Sequence, residues 1–318
     1  MLKSVIKHRA ADLLAATLGL QPTLAVRTEV LKTEGLDHAY GLLQDQLSRD
    51  LFVSLLAYRI LGPRRVRLPL DSPAYWERRR SLSKYIERRG TITNVAFAGS
   101  LDLCKVAGLR LHAHPLNVWN TFLLEQYRCP RAGVGVGVGD VVVDGGGCWG
   151  DTALYFAQTA ARVYCFECMP ANIDILQKNL DLNPALSAKI NVVQKALWSR
   201  SAEELIFEDI GPGSRAAAGA RGVKVVTQNI DDFVATKPLD RIDFIKMDIE
   251  GAELHALIGA ERTVRRFRPK LAISVYHELS HLASIPNWLD NLDLGYRFFL
   301  DHFTTYNEET VLFARADS

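Results

Sequence analysis

Asp144-Gly145-Gly146-Gly147-Cys148-Trp149-Gly150-Asp151-Thr152 is the stretch of this 318-residue chain with the clearest chemical content. Glycines at 145, 147 and 150 satisfy G-x-G-x-x-G, the spacing that turns a chain sharply after a strand and opens a helix. Such a turn lets backbone approach a ligand, and the helix that follows presents unpaired N–H groups. Trp149 and Asp151 sit in the same turn and join the candidate contacts. Glu167 lies 23 residues after Asp144, at the end of the next apolar run, Val163-Tyr164-Cys165-Phe166. A carboxylate there can accept hydrogen bonds from both hydroxyls of an adenosine ribose. Loop plus acid predicts an adenosine-containing cofactor without choosing which.

The elements that must position these residues alternate. Strands are expected over 140–144, 163–167, 190–196, 242–248 and 271–276, with helices over 151–161, 172–182 and 252–267. Near-continuous apolar strands separated by helices predict a parallel sheet covered on both faces. Tyr296-Arg297-Phe298-Phe299-Leu300 and Thr310-Val311-Leu312-Phe313-Ala314 are separated by only nine residues. That gap is too short for a helical crossover and suits an antiparallel return. The expected fold class is α/β, a Rossmann-like sheet of seven strands with the last one antiparallel, behind a mostly helical N-terminal region. NAD would fit the glycine pattern, but Asp144 would repel its pyrophosphate. S-adenosylmethionine, with a positive sulfur and an ammonium tail, tolerates that acid, and the reversed strand points the same way.

Methyl transfer from a sulfonium is an in-line displacement, so alignment and exclusion of water do most of the work. A hydroxyl acceptor also needs a base near the methyl. The carboxyl ends of strands four and five offer Asp248, Glu250, His277 and Glu278, and His302 ends the sixth. His277, whose ordinary pKa lies near neutrality, is the candidate base; a purely structural tie is the alternative. Asp248 and Glu250 complete the candidate catalytic set. Lys246 shares a strand face with Asp248 and, in a buried strand, must be paired. Asp248 with His277 or Glu278 could hold Mg²⁺, but spacing does not count ligands and no metal site is assigned. Cys165-x-x-Cys168 has no second pair and reads as packing.

The glycine loop, Val163-Tyr164-Cys165-Phe166-Glu167 and Phe244-Ile245-Lys246-Met247-Asp248-Ile249-Glu250-Gly251-Ala252-Glu253 together resemble the FkbM family of S-adenosylmethionine-dependent methyltransferases. The ordered match spans 138–315, and Lys-x-Asp-x-Glu-Gly-Ala-Glu is its most specific piece. The resemblance implies a seven-stranded methyltransferase fold and methyl transfer to an oxygen, often a sugar or natural-product hydroxyl. It implies that Asp144, Gly145, Gly147 and Glu167 hold the cofactor and that Asp248 sits beside its methionine end. Ala196, expected to close the third strand, would lie near the adenine, and Asp231 would be a structural cap.

Hydrophobic residues at 48% and charged residues at 23% describe an ordinary globular chain. A net charge of +2 excludes a general polyanion binder. Five cysteines suit a reducing compartment, so a cytoplasmic protein is expected. No apolar run reaches the ~20 residues of a membrane span, and Asp12 argues for an amphipathic first helix over a signal peptide in Met1 to Leu20. The expected division is an N-terminal helical or mixed region, 1–128, and a cofactor-binding domain, 129–318. Between Arg59 and Arg89 ten basic residues face three acids. That run is either a solvated face or a docking surface for an acidic glycan, a phosphorylated carrier or a membrane surface. No nucleic-acid motif accompanies it. Gly133 to Gly139 is expected to be a flexible entry, and Gly211 to Gly222 a mobile loop. Three functions compete: an O-methyltransferase acting on a glycan or glycosylated small molecule, an NAD-linked oxidoreductase, and a non-catalytic S-adenosylmethionine-binding module.

Overall fold

The computed structural model describes residues 29–317 apart from 31, 95–98, 209–212 and 217–221. The expected helix in Met1 to Leu20 lies outside the described residues, as does most of the Gly211 to Gly222 stretch. The chain enters through helices α1 (Leu36–Leu42) and α2 (Gln46–Leu61). Asp45 caps α2 by accepting from the Ser48 N–H at 2.7 Å, and Gly62 at φ 77° ends it. Leu51, Phe52 and Leu55 form the buried stripe of α2, each contributing about 1.5–3 kcal/mol of burial. Helix α3 (Pro73–Arg80) starts with Ser72 as cap and Pro73 in the first turn.

A three-stranded antiparallel sheet follows: β1 (Ile86–Asn94), β2 (Gly99–Val106) and β3 (Leu109–Ala113). Arg88 and Arg89, in the region expected to be mostly helical, lie on a strand. A π-helical turn, Val118–Leu123, buries Trp119 and Thr121. The Gly-Val stretch after it is tied down, because Cys129 and Val134 exchange backbone hydrogen bonds and the Gly137 N–H donates to Asp140.

The central unit runs β4 (Val141–Gly145), α4 (Asp151–Ala157), β5 (Arg162–Phe166), α5 (Pro170–Asp181) and β6 (Ile190–Val193). The chain then leaves the sheet through β7 (Ala196–Leu197), β8 (Glu204–Phe207), β9 (Val223–Gln228) and α6 (Ile230–Ala235). It returns as β10 (Phe244–Met247), α7 (Glu253–Ile258), α8 (Glu261–Phe267), β11 (Lys270–Ser274), α9 (His281–Asp290), β12 (Tyr296–His302) and β13 (Thr310–Ala316). The seven-stranded order is β12-β13-β11-β10-β4-β5-β6, and β13 is antiparallel to both neighbours. The expected seven strands and reversed last strand are both present.

Two expected elements are broken. The strand expected over 190–196 stops at Val193, where the Lys195 N–H turns back to the Val193 carbonyl. Ala196 instead pairs with Thr227 in a small separate sheet, so it does not close the third strand. The helix expected over 252–267 splits at Gly259, which packs so closely on the Trp198 carbonyl that a Cβ would meet it at 2.3 Å.

Alternate strand residues face opposite cores. Val143, Ile245 and Ile273 join α1, α2 and α9 on one face, while Val142, Phe244 and Ala272 join α4, α5, β2 and β3 on the other. The described residues before 128 thus pack on both faces of the sheet. Among the described residues, no helix is long and apolar enough to cross a membrane.

Candidate functional site

The glycine loop leaves β4 and folds against the ends of β5 and β10. The N–H groups of Gly146 and Gly147 both donate to the Phe166 carbonyl, at 2.9 and 3.0 Å. Gly146 takes φ 78°, and a Cβ on it would stand 1.9 Å from the Asp248 carbonyl oxygen. Only glycine combines that conformation with so close an approach.

Beneath the loop lies Lys246, 1% exposed. Its ammonium is 3.1 Å from Asp144 Oδ1 and donates to the carbonyls of Gly145 and Gly146 at 2.9 and 2.7 Å. Burial favours the neutral amine, but Asp144 and then Asp248 outweigh it and hold the lysine charged. Asp144 also accepts from Thr152 Oγ1 at 2.7 Å. The carboxylate expected to touch the cofactor is therefore fully buried and committed to Lys246 and Thr152. Strand pairing explains this, since Asp144 and Lys246 are partners in the β4–β10 register. Gly145 and Gly147 are buried in the same way, and a Cβ on Gly147 would meet Cys165 Sγ at 2.1 Å.

A cavity of about 400 Å³ opens above the loop at the carboxyl edge of the sheet, within the size range of small-molecule sites. Gly146, Cys148, Trp149, Asp151 and Glu167 line one side. Glu167 accepts from the N–H groups of Cys148 and Met169 at 2.8 Å each and from Asn172 Nδ2 at 3.4 Å. Burial nevertheless raises its pKa against those bonds. Asp151 accepts from Thr121 Oγ1 at 2.7 Å, and burial raises its pKa too. Ala196, Met169 and Phe207 form an apolar slot beyond Glu167. Cys165 is fully buried and Cys168 lines the cavity; burial raises both thiols, so they are neutral packing groups.

Asp248, Glu250, Tyr127, Tyr276 and Glu309 line the far side. Tyr127 and Tyr276 donate their hydroxyls to Asp248, at 2.8 and 3.0 Å. Burial, reinforced by the Asp248 charge, pushes both phenols well above their ordinary value, so they remain donors. Asp231 accepts from the N–H groups of Arg262 and Thr263 at the start of α8, the capping role expected of it.

His277 does not meet the requirements of a base. Its Nδ1 lies 2.9 Å from Glu253, and its Nε2 lies 3.4 Å from Glu250 and 3.5 Å from Asp248. These approaches are ion pairs rather than well-aligned hydrogen bonds. Burial favours the neutral ring, but Glu250, Glu253 and Asp248 together raise its pKa to about 11. An imidazolium surrounded by three carboxylates holds its proton at neutral pH. The ring also stands behind the cavity wall rather than on it. His302 is buried against Thr310 at 2.8 Å, with its pKa lowered to about 4 by burial, and Glu278 is exposed.

Asp248, Glu253 and His277 bring one donor atom each within 4.8 Å of one another. They do not fit Mg²⁺, which wants oxygen donors and retained waters. Glu253 is fully buried between His277 and His281, 3.3 Å from the second. Burial raises its pKa, but the two histidines prevail and hold it at about 2.

This pairing has a pH signature. A histidine whose pKa is raised on folding stabilises fully below its unfolded value near 6.5, and that contribution is lost as pH rises towards 11. His277→Gln is expected to cost about 3 kcal/mol at pH 6, the low end for breaking a buried pair because His281 still faces Glu253. The deficit against wild type should shrink steadily between pH 6.5 and 11 in denaturant titrations. A deficit independent of pH would show that the ring is neutral when folded.

Of the residues expected from sequence, Trp149, Asp151, Glu167, Ala196, Asp248 and Glu250 line the cavity; Tyr127, Tyr276 and Glu309 line it too and were not among them. Tyr276 lies two residues past the end of β11, directly before His277, and was within reach. Tyr127 and Glu309 arrive from distant segments with no local motif.

Residues 131–298 match the family model described as Methyltransferase FkbM domain. No curated protein gives a significant match. Among solved structures, a methyltransferase FkbM from Methylobacillus flagellatus KT superposes with a TM-score of 0.55 at 20% identity, covering 96% of this chain and 70% of that one. An rRNA methylase from Streptococcus thermophilus gives 0.39 at 13% identity, covering 57% and 90%. A precorrin-6y C5,15-methyltransferase from Geobacter metallireducens GS-15 gives 0.38 at 12%, covering 61% and 85%.

Proposed function

The chain belongs to the FkbM methyltransferase family, and from that premise we propose that it moves a methyl group from S-adenosylmethionine to a hydroxyl of a sugar, glycan or glycosylated small molecule. The observation that carries this reading is the cavity wall, with Glu167 at one end and the Tyr127–Asp248–Tyr276 cluster at the other. When bound, the cofactor supplies an electrophilic methyl. Glu167 keeps lone pairs for ribose hydroxyls, and Ala196, Met169 and Phe207 offer an apolar slot for the adenine. Asp248 and Glu250 give the far end a negative field that suits a sulfonium. Tyr127 and Tyr276 fix the Asp248 carboxylate through two hydrogen bonds.

Asp144 is neutralised by Lys246 and repels nothing, but Asp151, Asp248 and Glu250 on the wall would repel a pyrophosphate. The N–H groups of Gly146 and Gly147 are spent on Phe166 and cannot cradle phosphates.

Several residues of the basic run have structural partners. Arg59 donates to the Tyr276 carbonyl at 2.6 Å, Arg89 pairs with Asp102, and Arg79 lies over Trp76 at the cavity mouth. Arg64, Arg65, Arg80, Lys84 and Arg88 are exposed. In this reading they receive an acidic portion of the acceptor or its carrier. Five free cysteines suit the cytoplasm.

Methyl-labelled S-adenosylmethionine offered with a panel of glycosides tests the reaction; label in a glycoside ether is expected. Glu167→Ala is expected to weaken S-adenosylhomocysteine binding by about 1.5–3 kcal/mol, or about 10–150-fold, through loss of charged hydrogen bonds. Unchanged affinity by calorimetry would remove Glu167 from the ribose site.

A further inference from the structure

We propose that Glu309 takes the proton of the acceptor hydroxyl, as the base that the reading above requires. Glu309 directly precedes β13, and the bond from the Val275 N–H to the Thr310 carbonyl, 2.9 Å, fixes it beside the end of β11. That places it on the cavity wall with Tyr276 and Asp248, away from Glu167. The other acids on the far side are engaged or face solvent: Asp248 accepts from two phenols, Glu250 faces the His277 imidazolium, and Glu308 is exposed. Glu309 has a neutral partner, Gln126, whose amide donates to Oε2.

Its backbone is strained, as is that of Glu250 on the same wall at φ 56°. Glu309 takes φ 60°, in the left-handed region where glycine is favoured. A carboxylate held there, on a cavity wall, matches the strained conformations that gather at functional sites. The charged groups facing it are Asp248, Glu308 and His277, with the phenols of Tyr127 and Tyr276 beside them. Burial, then the Asp248 charge, raises its pKa to about 8. A cationic sulfonium arriving at the same wall favours the ionised form, so the base is primed when the cofactor binds.

In the step itself, a lone pair of the acceptor oxygen forms the bond to the methyl carbon. The carbon–sulfur bond breaks, and its electron pair remains on sulfur as a neutral thioether. The hydroxyl proton passes to the Glu309 carboxylate.

Two measurements on the full chain decide this. With carboxyl-labelled glutamate, the resonance absent from Glu309→Gln should titrate near pH 8 in the free protein. Sinefungin, which carries an ammonium where the sulfonium stands, should lower that midpoint, while neutral S-adenosylhomocysteine should not. In single turnover on a hydroxyl acceptor from the glycoside panel, Glu309→Gln should be about 10²–10⁴-fold slower, with S-adenosylhomocysteine affinity unchanged. Glu309→Gly, which suits the left-handed backbone, provides a second variant and should be equally slow. A Glu309→Gln enzyme at the wild-type rate, or a Glu309 carboxyl that stays protonated at pH 8 with sinefungin bound, overturns the proposal alone. A wild type that binds the cofactor yet methylates no hydroxyl overturns the functional reading, and this proposal falls with it.

Discussion

Lys246→Met is expected to lower the unfolding free energy by about 3–5 kcal/mol, the cost of leaving one member of a buried ion pair alone. The substitution keeps the length of the side chain and removes its charge. Asp144 is then buried with Thr152 as its remaining donor, and the carbonyls of Gly145 and Gly146 lose the ammonium that gathers them. Those carbonyls belong to the loop that shapes the cavity, so cofactor affinity should fall together with stability. Urea titration of the variant checks the first effect and calorimetry the second. The double variant Lys246→Met, Asp144→Leu removes both buried charges and should recover most of the stability without restoring binding. A single variant within 1 kcal/mol of wild type would mean that the Lys246–Asp144 pair does not hold the fold together.

Gly146→Ala should be the most damaging single methyl in the chain's binding loop. The added carbon would overlap the Asp248 carbonyl at 1.9 Å, a backbone atom that no side-chain rotation can move. The loop and the end of β10 would have to separate, and both line the cavity. A loss of at least about 2 kcal/mol is expected, from the left-handed conformation and the overlap together. Displacement of reacting groups by an ångström should also slow methyl transfer by about 10²-fold or more. Gly139→Ala is the matched control, because Gly139 takes φ 83° with nothing within 4 Å of the new carbon. Equal losses at the two positions would assign the whole effect to backbone conformation and none to the contact.

The parts of the fold written in local pattern were legible. Apolar strands alternating with helices gave the parallel sheet, and a nine-residue gap forced the antiparallel return of β13. The Gly loop and Glu167 were also visible, because a tight turn and a strand-end acid are local features. Asp144 misled for a physical reason. Its neighbours in sequence are the loop, but the strand register faces it to Lys246 on β10. His277 misled in a different way, since its proton affinity is set by Glu250, Glu253 and Asp248, which converge only in three dimensions. Tyr127 reaches Asp248 across 121 positions of sequence, and nothing in either segment announces the contact. The end of β6 at Val193 was equally hidden, because Ala196 and Leu197 are apolar enough to continue a strand and turn instead to pair with β9.

The claim on which the rest depends is that the cavity above Gly146 takes an adenosyl sulfonium cofactor rather than a dinucleotide. Calorimetric titration of the wild-type chain with S-adenosylhomocysteine, and separately with NAD, measures this directly. One molecule of S-adenosylhomocysteine should bind per chain, Glu167→Ala should weaken it, and NAD should give no saturable heat. Saturable NAD binding that Glu167→Ala abolishes, with none for S-adenosylhomocysteine, would contradict the assignment.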